Sequence, residues 1–132
     1  MTVVIDVSGA MEILLQKAKS STFCNVLQEA TLVIAPDLYI PELANTLWKY
    51  HIAKILNKDE CIQYVQDGIN YVDKFITGKE IWQEAFSEGI NHGHSVYDML
   101  YMVVARRNSG ILITNDSALA SICKKNYIEV CC

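Results

Sequence analysis

The stretch TVVIDVS, residues 2–8, begins with β-branched and apolar side chains and then changes abruptly to Asp6. A short apolar run of this kind predicts a buried β-strand. Similar runs occur at residues 32–35 and 111–114, a weaker strand pattern occurs at residues 71–76, and a final strand is predicted at residues 127–131. Helical patterns lie between them. Strands that alternate with helices predict an α/β fold with a mainly parallel central sheet of four to five strands, flanked by helices.

The helix boundaries follow from capping residues and apolar spacing. Helices are predicted at residues 9–17, 20–29, 38–55, 60–70, 78–90, 96–108 and 117–125. Ser8, Asp37 and Asn57 are candidate N-caps for the first, third and fourth of these helices. Ser95 and Asp98 have the spacing of a capping box, and residues 91–94 are interpreted as a loop.

Length and composition predict one globular domain over residues 1–132. Hydrophobic residues make up 52% of the chain and charged residues 20%, which is enough apolar material for a core and argues against disorder. No apolar run approaches the ~20 residues needed to cross a membrane, and the N-terminus lacks the pattern of a secretory signal. We therefore expect a soluble, cytoplasmic protein without a membrane partner.

Net charge, cysteine spacing and motif content each argue against particular kinds of ligand. The net charge of −4 argues against broad nonspecific binding to nucleic acid but leaves room for a local basic patch. The five cysteines contain no C-x-x-C pair, so reduced thiols are favoured over disulfides, and zinc is not expected. No P-loop or dinucleotide-binding motif is present, and no nucleotide cofactor is expected.

Four acidic residues lie where predicted strands or helices begin or end. Asp6 and Asp116 follow the two most apolar strands, and Glu42 and Asp98 lie early in helices. Each acid alone has a structural explanation as a cap or turn residue. Together they predict a cluster, because residues after parallel strands meet at one edge of the sheet. Clustered carboxylates favour a hard divalent cation, which indicates metal-dependent phosphoryl transfer or hydrolysis.

Four sequence blocks carry a family resemblance that covers nearly the whole chain. Each block contains one of these acids, and the blocks stand in the order TVVIDVS, IAPDLYIPELANTLWK, SVYDMLYMVVARR and ILITNDSALA. In this order and spacing they resemble a PIN-domain protein, most closely a VapC-type toxin ribonuclease of a type II toxin–antitoxin system.

The resemblance implies a metal-dependent endoribonuclease that cleaves tRNA, rRNA or mRNA. Its catalytic and metal-binding residues would be Asp6, Glu42, Asp98 and Asp116, which would line a site for Mg²⁺ or Mn²⁺. Asp6 and Asp98 would be the most direct ligands. The resemblance also implies a small cognate antitoxin that covers the site and a homodimer packed through helices in the N-terminal half.

Three polar residues match positions beside the family's acids. Ser8 and Thr114 would stand beside Asp6 and Asp116, and Asn45 would orient Glu42, whose helix face it shares. Local capping explains Asn45 and Thr114 equally well. Asn115 stands where the family sometimes has another acid, which leaves a second metal site open.

Other polar and aromatic residues are weaker candidates. His92 and His94 could contact metal or RNA, although an exposed loop explains them better. Phosphate contacts are open for Lys49, Lys54, Lys58, Arg106 and Arg107, for which a solvated helix face is the simpler interpretation. Tyr97 and Tyr101 are expected to pack or to border the site.

Three alternatives to the toxin remain open at this point. The chain could be a nuclease of the same fold in RNA processing or DNA metabolism, for which the acids would be identical. It could be a binding module that has lost activity. A phosphatase or phosphoacceptor domain fits less well, because the segment after the first strand lacks the additional acids of those families.

Overall fold

Five parallel strands form one sheet in the computed structural model, which describes residues 1–132. The strands are β1 (Thr2–Ile5), β2 (Leu32–Pro36), β3 (Lys74–Ile76), β4 (Ile111–Ile113) and β5 (Val130–Cys131). Their order across the sheet is β3-β2-β1-β4-β5, and every neighbouring pair is parallel. The predicted α/β fold with a mainly parallel sheet of four to five strands is confirmed.

Seven helices flank the sheet. They are α1 (Val7–Leu14), α2 (Ser20–Glu29), α3 (Tyr39–Ile52), α4 (Lys58–Asn70), α5 (Gly78–His92), α6 (Val96–Arg107) and α7 (Ser117–Lys125). None of them combines the length and apolar character that crossing a membrane requires.

The core lies around β1, the central strand. Val3, Val4 and Ile5 are fully buried, because this strand is paired on both sides. Helix α6 packs on β1, β2 and β4 as well as on α5 and α7, and all of its residues from 99 to 105 are buried. A helix that is apolar on most sides is expected in such an enclosed position.

Gly9 brings the first turn of α1 against β4. A Cβ atom at this position would lie 2.9 Å from both Cγ2 and the carbonyl oxygen of Ile113, closer than real side chains approach. The glycine in the first turn of α1 therefore has a packing reason. It allows the residues that follow β1 and those that follow β4 to meet.

Two predicted caps are wrong, and the predicted capping box of α6 forms only in part, because Ser95 does cap that helix. Helix α1 begins at Val7 with Asp6 as its N-cap, because Asp6 rather than Ser8 accepts from the Gly9 amide. Asp37 caps no helix and instead accepts from the Gly78 amide across the sheet edge. Ser95 accepts from the Tyr97 amide, but no capping box forms with Asp98.

Some predicted boundaries also shift. The strand patterns at residues 71–76 and 127–131 yield strands of only three and two residues. Residues 91 and 92, interpreted as a loop, complete α5, which ends at Gly93 in the left-handed conformation with φ of 59°. Asn57 does cap α4, in a full capping box with Glu60.

Candidate active site

A groove of about 510 Å³ opens at the carboxyl edge of the sheet, where β1 and β4 end. All four predicted acids line it. Asp6 and Asp116 reach it from the ends of β1 and β4, Glu42 from the first turn of α3, and Asp98 from the first turn of α6. Further lining comes from Ser8, Met11, Glu12, Lys17, Asn45, Thr46, Lys49, Tyr50, Tyr101 and Asn115.

Asp6 is the most enclosed of the four acids, with only 6% of its surface exposed. Its Oδ1 accepts hydrogen bonds from the Gly9 amide at 2.8 Å and from the Ser8 hydroxyl at 2.7 Å. Its Oδ2 accepts from the hydroxyl of Thr114. These bonds occupy three of the roughly four acceptor directions of a carboxylate, so one direction on Oδ2 remains for another partner.

Two hydroxyl groups connect Asp6 to the turn that follows β4. The Asn115 amide donates to Ser8 Oγ at 2.8 Å, and the Asp116 amide donates to Thr114 Oγ1 at 3.0 Å. Each hydroxyl in turn donates a hydrogen bond to one oxygen of Asp6. Ser8 and Thr114 therefore hold the two strand ends in a fixed relation.

Glu42 lies on the opposite wall, where Tyr101 holds it. The buried Tyr101 hydroxyl donates to Oε1 of Glu42 at 2.8 Å. Tyr101 follows Asp98 by three residues on α6, so both side chains leave the same face of that helix. Oε2 of Glu42 accepts no hydrogen bond from the protein.

Asp98 and Asp116 are each bonded through one oxygen only. Oδ2 of Asp98 lies 2.7 Å from Nε2 of His94. Oδ1 of Asp116 accepts from the amides of Ala118 and Leu119 and thereby caps α7. In both residues the other oxygen has no partner in the protein, so it is available to a ligand in the groove.

The pKa values of two groove acids are raised. Burial raises the pKa of Asp6 to about 6, against the lowering effect of its hydrogen bonds from Thr114, Gly9 and Ser8, and the charge of Glu42 adds to the rise. Burial also raises the pKa of Glu42, the hydrogen bond from Tyr101 opposes the rise, and the charge of Asp98 adds to it. A cation in the groove would relieve both effects, because it favours the charged form of each carboxyl group.

The donor set fits a hard divalent cation that keeps part of its own hydration. Glu42, Asp98 and Asp116 each present one unbonded carboxylate oxygen, and Asp6 keeps one free acceptor direction. No three acidic, histidine or cysteine side chains lie close enough together to enclose a metal ion. Mg²⁺ is commonly held by one or two carboxylates together with waters and substrate phosphates. The residues therefore fit such an open site and do not form a closed protein cage.

The weaker candidates separate into two groups. Asn45 and Lys49 line the groove, although Asn45 makes no hydrogen bond to Glu42. Tyr101 borders the groove as expected, whereas Tyr97 is exposed on the surface. The residues that lie outside the groove are His92, Lys54, Lys58, Arg106 and Arg107. Of these, His92 and both arginines pair with Glu84 or Glu88.

Two residues that line the groove were not predicted from the sequence, namely Glu12 and Lys17. Glu12 is 7% exposed, and its two oxygens accept from the Lys19 amide and the Asn115 side chain. A single acid within the apolar run of α1 was the available signal. Lys17 follows the end of the same helix, and nothing in its local sequence distinguishes it from a solvated lysine.

The chain resembles known proteins in both sequence and structure, although no protein-family model matches it. The chain is 28% identical over 122 residues to a protein named Ribonuclease VapC3 from Pyrobaculum aerophilum, an alignment that covers 91% of this chain and 93% of that protein. The crystal structure of PAE2754 from the same organism superposes with a TM-score of 0.76 at 16% identity, over 98% of this chain and 83% of that one.

The two similarities support each other. The structural match demonstrates a shared fold, and the sequence match extends over nearly the full length of both proteins. The order Asp6, Glu42, Asp98, Asp116 and the placement of all four in one groove agree with the resemblance drawn from the sequence blocks. The chain is therefore similar to a VapC ribonuclease over nearly the full length of both proteins, and it shares its fold with PAE2754.

Proposed function

We propose that this protein is a metal-dependent endoribonuclease and the toxin of a toxin–antitoxin pair. The observation that carries the proposal is the meeting of four carboxylates from four separate elements in one groove at the carboxyl edge of the sheet. The similarity to Ribonuclease VapC3 supports RNA as the substrate. RNA of the tRNA, rRNA or mRNA class is proposed.

The four acids are proposed to bind Mg²⁺ or Mn²⁺ together. Asp6 and Asp98 would be the most direct ligands, and Glu42 and Asp116 would complete the site. Such an ion supplies activation of water and neutralisation of the charge that develops on the phosphodiester. Ser8 and Thr114 hold Asp6 in position, and Asn45 is proposed to orient Glu42 from the neighbouring turn of α3.

The groove requires no covalent intermediate. Its lining contains no cysteine or histidine, and the hydroxyl of Ser8 is already committed to Asp6. We therefore propose direct hydrolysis by water.

Cleavage of mixed tRNA and rRNA by the purified protein tests the proposal. Discrete cuts are expected with Mg²⁺ or Mn²⁺ and none with EDTA. Asp6→Asn and Asp98→Asn should remove the cuts, whereas Asp59→Asn, a change of an exposed acid in the first turn of α4, should leave them. Cleavage that persists in EDTA or in Asp6→Asn would contradict the assignment.

Two exposed apolar surfaces support the proposal that this protein binds other protein chains. Trp48, Ile52, Ile55 and Ile62 are exposed on α3, its following turn and α4, and Trp82, Phe86 and Ile90 form a stripe with four-residue spacing on α5. Exposed apolar area of this kind commonly marks an interaction site. We propose a homodimer and a small cognate antitoxin as partners. Light scattering of the purified protein, alone and co-expressed with a small neighbouring gene product, tests both.

One observation favours an inactive binding module of the same fold as the second candidate. Each of the four acids already accepts at least one hydrogen bond from the protein, and no three of them enclose a metal site. Isothermal titration with Mn²⁺ separates the two candidates. If the protein neither binds Mn²⁺ nor cleaves RNA, the inactive binding module would be favoured.

If the protein cleaves RNA but has no antitoxin partner, a nuclease of RNA processing or DNA metabolism would be favoured.

A further inference from the structure

Both acidic and basic side chains line the groove. Five carboxylates line it, namely those of Asp6, Glu12, Glu42, Asp98 and Asp116. Its only cationic side chains are Lys17, which follows α1, and Lys49 in the last turn of α3. Tyr50 lies beside them, and we call Lys17, Lys49 and Tyr50 the lysine rim.

Both lysines keep their charge available. Neither ammonium group lies within ion-pairing distance of a carboxylate, although five carboxylates line the same groove. Both arginines of the chain are paired with glutamates of α5. The groove therefore carries unpaired positive charge in a protein whose net charge is −4.

The ammonium group of Lys17 is positioned by a hydrogen bond to Tyr50 and not by an acidic side chain. Its Nζ donates to the Tyr50 hydroxyl at 3.2 Å and lies 5.9 Å from the centre of the ring. This arrangement joins a cation to the edge of an aromatic surface. Proteins that bind single-stranded nucleic acid combine these two features, one for the phosphate and one for the base.

Helix α3 sets the distance from the lysine rim to the acids. Glu42, Thr46 and Lys49 follow each other at spacings of four and three residues, so they lie along one face of the helix. With a rise of 1.5 Å per residue, Lys49 lies about 10 Å further along the axis than Glu42. Along α3, the groove thus changes from the anionic Glu42, where a metal is proposed, to the cationic Lys49.

We propose that the lysine rim binds a nucleotide of single-stranded RNA next to the one that is cut. The ammonium groups of Lys17 and Lys49 contact phosphate oxygens, and the Tyr50 ring packs against the base. The strand then lies along α3 with its scissile phosphate among the acids. This inference rests on the proposed ribonuclease function and adds the direction in which the substrate crosses the groove.

A salt titration of RNA binding tests the phosphate contacts. The probe is a fluorescein-labelled single-stranded oligoribonucleotide of mixed sequence, bound in Mg²⁺ to protein that carries Asp98→Asn to prevent cleavage. In this background Lys17→Gln and Lys49→Gln should each weaken binding several-fold. Each should also reduce the slope of log K against log salt by about 0.7, the value for one lost phosphate contact on a single strand.

Two further variants make the test specific. Lys58→Gln removes an exposed lysine outside the groove and should change neither affinity nor slope. Tyr50→Leu should weaken binding about 5- to 150-fold, as expected for one stacked base, without changing the slope. Thermal melts of all variants check that they remain folded.

The outcomes separate this inference from the function on which it rests. If the wild type cleaves RNA with Mn²⁺ but both lysine variants show the affinity and slope of Lys58→Gln, the rim is overturned and the ribonuclease stands. If no form of the protein binds or cleaves RNA, both fall. Loss of slope in the lysine variants with an unchanged slope in Tyr50→Leu supports the rim.

Discussion

The Tyr101 hydroxyl on α6 donates a 2.8 Å hydrogen bond to Oε1 of Glu42 on α3. This bond is the principal influence that opposes the raised pKa of Glu42. It also fixes one oxygen of the carboxylate and leaves the other facing the groove. The relationship couples the two helices that bring Glu42 and Asp98 to the site.

Tyr101→Phe should therefore impair the site while the fold persists. Removal of the hydroxyl lets the pKa of Glu42 rise further, so the acid limb of the pH–rate profile should move to higher pH. We expect kcat to fall about tenfold, as for the loss of about 1.4 kcal/mol of stabilisation. The measurement is the pH dependence of RNA cleavage with Mn²⁺.

Tyr39→Phe is the matched control for this substitution. The Tyr39 hydroxyl is also buried, but it donates to the Gly68 carbonyl at 2.7 Å and forms no hydrogen bond with any of the four acids. Its removal should lower the free energy of unfolding by about 1 kcal/mol and leave the pH–rate profile unchanged. Equal profiles for the two variants would contradict a role for Tyr101 in setting Glu42.

Asp6→Asn should increase stability near neutral pH while it abolishes cleavage. The folded pKa of Asp6 is raised from 3.8 to about 6, so above pH 6 the folded protein holds a buried charge that the unfolded chain exposes to water. Stability should therefore decrease as pH rises from about 4 to 6, because the folded state binds the extra proton in that window. The neutral amide can still cap α1, and the gain expected at pH 7.5 is about 1–3 kcal/mol.

Urea denaturation from pH 4 to 7.5 measures this effect. The wild type should lose stability relative to Asp6→Asn as pH rises, and the two curves should converge toward pH 4. A variant that is less stable than the wild type at pH 7.5 would show that the bonds from Ser8 and Thr114 outweigh the cost of the buried charge.

Divalent ions should stabilise the wild type and release protons as they bind. Because a cation favours the charged forms of Asp6 and Glu42, whose pKa values are raised, its affinity should weaken as pH falls through 6. At a concentration of 100 Kd, Mn²⁺ should add about 2.7 kcal/mol to the free energy of unfolding. Thermal melts with and without Mn²⁺ at pH 7.5 and 5.5 test this, and Asp98→Asn should show a smaller shift at both.

Gly9→Ala should damage both fold and site. Its Cβ would meet Ile113 at 2.9 Å, including the backbone oxygen, so α1 must move away from β4 at a cost of about 1–3 kcal/mol. Gly78→Ala, whose Cβ would meet only the Asp37 carboxylate at 3.5 Å, should cost less. Chemical denaturation of both variants, with Mn²⁺ affinity as a second readout, compares them.

The sheet could be predicted because β-branched runs and terminal acids carry strong local signals. Residues 2–5 and 117–125 form the predicted strand and helix with unchanged bounds. The caps were harder, since Ser8 and Asp6 are both good capping residues and only tertiary contact with Thr114 and the residue 115 amide selects between them. Asp98 shows the same effect, because His94 engages it and no capping box forms with Ser95.

The acids of the candidate groove could be predicted from the sequence and Lys49 was a candidate, whereas Lys17 could not be predicted. Asp6, Glu42, Asp98 and Asp116 follow strands or begin helices, which places them at one edge. Lys17 reaches that edge only because α1 ends where α3 passes, a packing relation with no local sequence pattern. Capping and lining the groove also proved compatible, since Asp6 and Asp116 do both.

The hydrogen bonds of the four acids divide the site into a rigid half and an adjustable half. Asp6 and Asp116 are anchored by backbone amides at the starts of α1 and α7, so they cannot turn without disturbing a helix. Glu42 and Asp98 are each held by one side chain, Tyr101 or His94, and by no backbone amide, so fewer hydrogen bonds oppose their reorientation. An arriving ligand would therefore find two carboxylates as a fixed reference and draw the other two toward it, without rearrangement of the sheet.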